Sequence, residues 1–129
     1  MMENIQERAI AAAARFVARR GYEVLATSWK GIDGGSVDMI AKDGNTLVFF
    51  DIEAREGCDK GLPADDAEGK RERMEINAAK WLAAHSYDDS LLNARIRFDM
   101  IAMVTLGRDR AMIRHHVNAL SDAIAIPAA

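Results

Sequence analysis

The sequence predicts an α/β domain around a mixed β-sheet, with helices and strands in the order α-β-β-β-α-β-β. Two stretches, residues 3–20 and 64–85, repeat apolar residues at helical spacing. Five β-like segments lie between and after them, separated by turn signals. One of these segments, TLVFFDIEAR (46–55), begins with apolar residues on both faces, which is typical of a strand buried in the centre of a sheet.

The first half of the chain supplies one helix and three strands. The helix over 3–20 is followed by Gly21, a residue type that helices favour just past their last turn. YEVLATSW (22–29) is the first β-like segment, and GIDGG then marks a turn. SVDMIAK (36–42) leads into TLVFFDIEAR through KDGN, in which Asp-Gly accepts the positive φ that a tight hairpin needs.

The second half supplies a helix and a hairpin. The helix is predicted over 64–85, and Gly69 is its weakest position because glycine costs roughly 1 kcal/mol relative to alanine inside a helix. RIRFDMIAMVTL and AMIRHHV flank GRDR and predict a final hairpin. A short helix is expected before Pro127. We interpret residues 1–129 as one domain with a short tail from about residue 120.

Length, composition and charge bound the class of protein. The chain has 129 residues, of which 50% are hydrophobic, and a net charge of −3 at pH 7. This charge does not exclude a nucleic-acid partner, because phosphate contact needs only a local basic face. Cys58 is the single cysteine, which excludes an internal disulfide and favours a reducing compartment. With no apolar run near the roughly 20 residues that span a bilayer, we expect a cytoplasmic protein without a membrane partner.

Three carboxylates are predicted to converge at the polar end of the central strand. Asp51 and Glu53 are two positions apart and share a strand face. The hairpin through KDGN would bring Asp38 close to Asp51. Such carboxylates repel one another unless they are protonated or bridged by a cation, so we expect Mg²⁺ or Mn²⁺ as a cofactor. The alternative is that these acids only mark where the sheet meets water.

A basic stripe on the second helix suggests a phosphate partner. Lys70, Arg73, Asn77 and Lys80 recur at positions i, i+3, i+7 and i+10. A basic helix edge beside an acidic site would suit a nucleic-acid backbone, although a solvated charged face is an equally ordinary explanation. The candidate nucleic-acid contacts are Lys30, Arg55, Lys70, Arg73 and Lys80.

These segments together resemble the YraN-like family of small bacterial endonuclease-like proteins. The matching stretches are GYEVLATSWK, GGSVDMIAKDGNTLVFFDIEAR, the lysine at 70, AAKWL and RFDMIAM, and they extend over roughly residues 5–120. The resemblance implies a restriction-endonuclease-like fold, related to Holliday-junction resolvases, with a central mixed sheet flanked by helices. It also implies an aspartate followed by an acid-x-lysine signature, in which Asp38 is the aspartate and Asp51 is the acid.

The chain departs from this family pattern at three polar positions. Glu53 stands where the family has lysine, and Ser36 stands where it usually has glutamate. In the first helix Ile10 takes the place of another glutamate, with Glu7 one turn earlier. Because a positioned acid or base typically contributes about 10²–10⁴ in rate, these changes predict a degenerate active site unless Lys70 replaces the lysine.

The sequence leaves three functional hypotheses open. The first is a nuclease-like protein that binds DNA or RNA and hydrolyses phosphodiesters with a divalent metal. In that hypothesis Asp38 and Asp51 bind the metal, Glu53 is a third ligand or positions water, and Lys70 is the substitute cation. The second is a non-catalytic nucleic-acid-binding or assembly module, and the third is a homodimeric scaffold without a nucleic-acid role.

Overall fold

The computed structural model describes residues 4–57, 61–63, 69–91 and 93–118. These residues form helices and strands in the predicted order α-β-β-β-α-β-β. In chain order they are α1 (Ile5–Arg19), β1 (Glu23–Lys30), β2 (Ser36–Asp43), β3 (Thr46–Glu56), α2 (Lys70–Ala84), β4 (Arg95–Leu106) and β5 (Arg110–His116), with a 3₁₀ turn at Asp89–Leu91. None of the described helices has the length and apolar character needed to cross a membrane.

The five strands form one mixed sheet in the spatial order β1-β2-β3-β4-β5. β3 and β4 are parallel, whereas each of the other neighbouring pairs is antiparallel. Parallel neighbours need a long crossover connection, and α2 lies within the segment that joins β3 to β4. The predicted fold class is confirmed, because this architecture is consistent with the restriction-endonuclease-like fold that the resemblance implies.

One helix covers each face of the sheet. Val48, Phe50 and Ile52 of β3 pack in an apolar cluster with α1. Leu47 and Phe49, which alternate with them, pack in a second cluster with α2. All five side chains are at most 2% exposed, and burying each one contributes roughly 1.5–3 kcal/mol. β3 is therefore the central strand of the core, as its double-faced apolar start predicts.

α2 begins later than the sequence predicts. Gly69 has a φ of +74°, a left-handed conformation that an α-helix does not contain, and the helix begins at Lys70. The prediction of a helix through Gly69 is therefore wrong. Its predicted start lies within 64–68, outside the described residues. Cys58 and the short helix expected before Pro127 also lie outside them.

A buried polar network connects the strands on the α1 face of the sheet. Asp99 is fully buried, accepts a hydrogen bond from Arg97 Nε at 2.9 Å, and lies 2.8 Å from His115 Nε2. Arg97 also donates to Asp43 Oδ2 at 3.0 Å and to the Tyr22 hydroxyl at 2.7 Å. Although burial raises the pKa of Asp99, the hydrogen bonds with His115 and Arg97 hold it below its ordinary value.

Candidate functional site

The acidic end of β3 opens into a cavity of about 150 Å³ beside β2 and α2. Leu47 and Phe49 occupy the α2 face of β3 and are buried. Asp51 and Glu53 are the next two residues on that face, because side chains alternate along a strand. Asp38 lines the same cavity from β2. The polar residues that line it from α2 are Lys70, Arg73 and Asn77.

Asp51 is a largely buried carboxylate without a full set of partners. Its side chain is 22% exposed, and among the described residues nothing donates a hydrogen bond to its buried Oδ2. Burial, followed by the charge of Glu53, raises the pKa of Asp51 to about 6, although the charge of Lys70 lowers it. A buried acceptor without a donor favours a bound cation or a proton at that oxygen.

Asp38 is held against the backbone of β3. Its Oδ2 accepts a hydrogen bond from Ile52 N at 2.8 Å. Burial raises the pKa of Asp38, against the effect of that hydrogen bond. The carbonyl oxygen of the same residue, Ile52, accepts a hydrogen bond from Gln6 Nε2 of α1 at 3.0 Å. α1 thereby fixes the strand segment that positions Asp38.

Gln6 is absent from the predicted site residues, yet the sequence carries a signal for it. It precedes Ala9 and Ala13 by three and seven residues, and both alanines are buried. Residues at this spacing share one face of a helix. A glutamine on an otherwise apolar face needs a polar partner inside the protein, which β3 supplies here.

Lys70 lies between the two acids of β3. Its Nζ is 2.9 Å from Glu53 Oε1 and 3.5 Å from Asp51 Oδ2. Although burial lowers the pKa of Lys70, its hydrogen bond to Glu53 and the charge of Asp51 raise it above the ordinary value. Lys70 is the first residue of α2, where the helix dipole disfavours a cation. The carboxylates of β3 offset this cost and hold the ammonium group at the cavity.

The remaining predicted nucleic-acid contacts are divided between the cavity and its surroundings. Arg73 lines the cavity from α2. Lys80 instead donates to the carbonyl oxygen of Asp33 at 3.4 Å, in the turn between β1 and β2. Lys30 and Arg55 are exposed near the ends of β1 and β3, and they are not among the described residues that line the cavity.

The two positions at which the resemblance implies glutamate, residues 36 and 10, add no carboxylate in this chain. Ser36 lines the cavity with a hydroxyl side chain. Ile10 is 6% exposed and packs in the apolar cluster beneath α1. Glu7 is exposed, and its backbone N–H donates to the Asn4 side chain at the start of α1. Within the described ranges, the acids that line the cavity come from β2 and β3.

The described residues do not supply three grouped carboxylates for a metal ion. No three His, Cys, Asp or Glu side chains in the described part of the chain are grouped closely enough to hold a metal ion. Glu53 is engaged by Lys70. Mg²⁺, however, often takes only one or two carboxylates and completes its shell with waters and phosphate oxygens. Asp38 and Asp51, whose Oδ2 accepts no hydrogen bond from the described residues, could hold such an ion, and the ligand role of Glu53 stays a prediction.

The sequence matches the model of the uncharacterised protein family UPF0102 over residues 10–103. It is 39% identical to a UPF0102 protein of Roseiflexus castenholzii over 113 residues, which are 86% of this chain and 88% of the relative. A UPF0102 protein of a Parafrankia species is 33% identical over 104 residues, 80% of this chain and 84% of its own. A third, from Geobacter sulfurreducens, is 32% identical over 108 residues, 83% and 80% of the two chains. The family match includes every residue of the cavity.

Proposed function

We propose a function for this chain from the premise that it belongs to the uncharacterised protein family UPF0102, the YraN-like family that its sequence resembles. We infer that it is a nuclease-like protein that binds nucleic acid at the acidic cavity. With a divalent cation, Mg²⁺ or Mn²⁺, it hydrolyses phosphodiester bonds. Asp38 and Asp51 hold the cation, and Lys70 replaces the lysine that the family signature places on the strand.

The observation that carries this proposal is the position of Lys70 against the acids of β3. Glu53 occupies the place of the signature lysine, so the strand itself brings a negative charge where a positive one is expected. Lys70 Nζ lies 2.9 Å from Glu53 Oε1 and 3.5 Å from Asp51 Oδ2. A cationic amine therefore reaches the same place from α2, which supports retention of the charge pattern that phosphodiester hydrolysis requires.

Five charged residues of the cavity each have a defined part in the proposed reaction. The reaction joins a water oxygen to phosphorus, breaks one ester P–O bond, and leaves that oxygen to take up a proton from solvent. A divalent cation held by Asp38 and Asp51 stabilises the negative charge of the phosphate when it is bound. Lys70 and Arg73 bind phosphate oxygens from α2. Glu53 holds Lys70 through Oε1, orients the attacking water and accepts its proton.

Cleavage of a plasmid, a branched DNA and an RNA, each with Mg²⁺ and with Mn²⁺, tests the proposal. We expect the wild type to cut at least one of these substrates and Asp51→Ala to lose about 10²–10⁴ in rate. Glu23→Gln is the matched control, because it removes one exposed carboxylate at the start of β1 and should leave the rate unchanged. Cleavage that persists unchanged in Asp51→Ala would eliminate this mechanism.

One observation favours a second candidate, a nucleic-acid-binding module without catalysis. The ammonium group of Lys70 already lies within ion-pair distance of Glu53 and Asp51, so the cavity has a cation of its own. This candidate predicts that calorimetry detects no binding of Mg²⁺ or Mn²⁺. It also predicts that the protein binds nucleic acid with an affinity that depends on salt. Metal binding that is lost in Asp51→Asn would favour the hydrolase instead.

A further inference from the structure

A second charged surface lies where α1 meets the hairpin of β4 and β5. We name it the arginine groove, and it has a volume of about 270 Å³. Its charged lining residues are Arg8, Arg15, Arg108, Arg110 and Asp109. Four positive charges and one negative charge give it a net charge of +3, in a chain whose net charge is −3. The groove is therefore locally basic in a chain that is acidic overall.

A hydrogen bond joins α1 to the hairpin of β4 and β5, which together form the groove. Arg8 Nη2 donates to the carbonyl oxygen of Arg108 at 3.3 Å, which ties the helix to the hairpin turn. Ala11 and Ala12 line the groove from α1 and leave space between the arginine side chains. Thr105 lines it from β4. The arginines are thus presented by ordered elements that meet across a gap.

Acids are fewer than bases in the groove, with Asp109 against four arginines. In the ranges that the structure describes, none of the four guanidinium groups forms an ion pair with a carboxylate. Like charges gathered at one site repel one another, and an anionic ligand relieves that repulsion. Guanidinium groups are planar and bind phosphate through two parallel hydrogen bonds. Phosphate is therefore the chemistry that the arginine groove fits.

The dimensions of the groove indicate a polymer of phosphates. Arg8 and Arg15 are seven residues apart, a distance of about 10 Å along a helix. One strand of B-DNA advances about 3.4 Å for each phosphate, so this length corresponds to several consecutive phosphates. All four arginines are exposed, which suits an extended ligand that passes along the surface.

The groove lies close to the acidic cavity, on the other face of the sheet. Gln6, which bonds the backbone of β3 at Ile52, is only two residues before Arg8. β3 continues beyond Glu53, and Gly57 N donates at 3.0 Å to the carbonyl oxygen of Thr105, which lines the groove. Three strand residues separate Glu53 from the end of β3, or about 10 Å. A backbone that bends around this end of the sheet meets both surfaces.

We propose that the arginine groove binds the phosphodiester backbone of the nucleic acid whose scissile phosphate lies at the acidic cavity. This inference rests on the proposed function, because it assigns a second contact to the same substrate. The groove adds affinity through charge and makes no contact with the reacting phosphate. Replacing its arginines therefore weakens the binding of nucleic acid even when no metal ion is present.

Fluorescence anisotropy with a labelled DNA duplex and a labelled RNA, in EDTA and over a series of KCl concentrations, tests the groove. We expect the double variant Arg15→Gln/Arg110→Gln to bind both probes more weakly. The slope of log affinity against log salt should fall by about 2, one for each phosphate contact removed. Arg19→Gln/Arg95→Gln is the matched control, because it removes two exposed arginines outside the groove and should leave the slope unchanged.

The outcomes separate this inference from the proposed hydrolysis. A groove variant with the same affinity and slope as the control overturns the inference, whatever the cleavage assays give. A reduced slope in a protein that cuts no substrate supports the groove and overturns the catalytic proposal. A wild type that binds neither probe overturns both. Unchanged thermal midpoints of unfolding establish that the two double variants remain folded.

Discussion

Replacing Asp51 with asparagine is expected to stabilise the fold at neutral pH and to have little effect at acidic pH. The pKa of this carboxyl group is about 6 in the folded protein, against an ordinary value of 3.8. The folded state therefore binds the proton more tightly than the unfolded state. As a result, the free energy of unfolding falls as the pH rises between these two values.

The size of the effect follows from the difference between the two pKa values. Each pKa unit corresponds to about 1.36 kcal/mol. Ionised Asp51 therefore lowers the free energy of unfolding by about 3 kcal/mol above about pH 7. Asparagine removes this cost together with the attraction to Lys70, whose Nζ lies 3.5 Å away. We expect a net gain of about 1–3 kcal/mol in the free energy of unfolding at neutral pH.

Urea unfolding of wild type and Asp51→Asn at about pH 8 and about pH 4.5 measures this gain above the titration and part-way through it, where about two thirds of the cost has disappeared. The thermal midpoint should rise by about 4 °C for each kcal/mol in a chain of this size. Glu23→Gln removes an exposed carboxylate and controls for the change in net charge. The reasoning is refuted if Asp51→Asn is no more stable than wild type at the higher pH, or if its gain is equal at both pH values.

Three further predictions concern the fold and the site. Gly35→Ala places a Cβ 2.8 Å from Asn77 Oδ1 of α2. In Gly44→Ala, the control, the new Cβ meets no described atom within 4 Å. Gly35→Ala should therefore lower the free energy of unfolding by about 1–3 kcal/mol more than Gly44→Ala. In urea unfolding, Asp99→Asn should lower the free energy of unfolding by about 3 kcal/mol, because the Asp99 side chain is 0% exposed. Asp43→Asn should lower it by less than about 1 kcal/mol, because the Asp43 side chain is 43% exposed. The contribution of Asp99 is present at neutral pH and lost as the pH falls below about 3.8, since its pKa is lowered on folding. Lys70→Met should lower cleavage by about 10²–10⁴, and an unchanged rate would exclude a catalytic part for the ammonium group.

The acidic face of β3 could be predicted because its causes are local. Alternation along a strand places Asp51 and Glu53 on one face whatever the rest of the chain does. The Asp-Gly turn between β2 and β3 then aligns Asp38 with them, since a short hairpin loop fixes the register of its strands. Met39 pairs with Phe50 in the structure, which is the register that this reasoning requires.

The partners of these acids could not be predicted with the same certainty, because they depend on contacts between distant segments. Gln6 and Ile52 are 46 residues apart, and their hydrogen bond depends on how α1 docks on the sheet. Asp99 and His115 form another such contact across β4 and β5. The spacing of charges along each element indicates which face a residue occupies, but docking decides which side chains meet across the core.

The charge balance of the cavity explains why a cation and a proton are alternatives there. Lys70 and Glu53 neutralise each other at 2.9 Å, which leaves Asp38 and Asp51 with up to two uncompensated negative charges. Protonation of Asp51, whose pKa is raised to about 6 by burial and by Glu53, removes one of them. A divalent cation would remove both without a proton and would become the favoured partner as the pH rises. The pairing of Glu53 with Lys70 therefore leaves the two aspartates as the acids on which a proton or a cation would act.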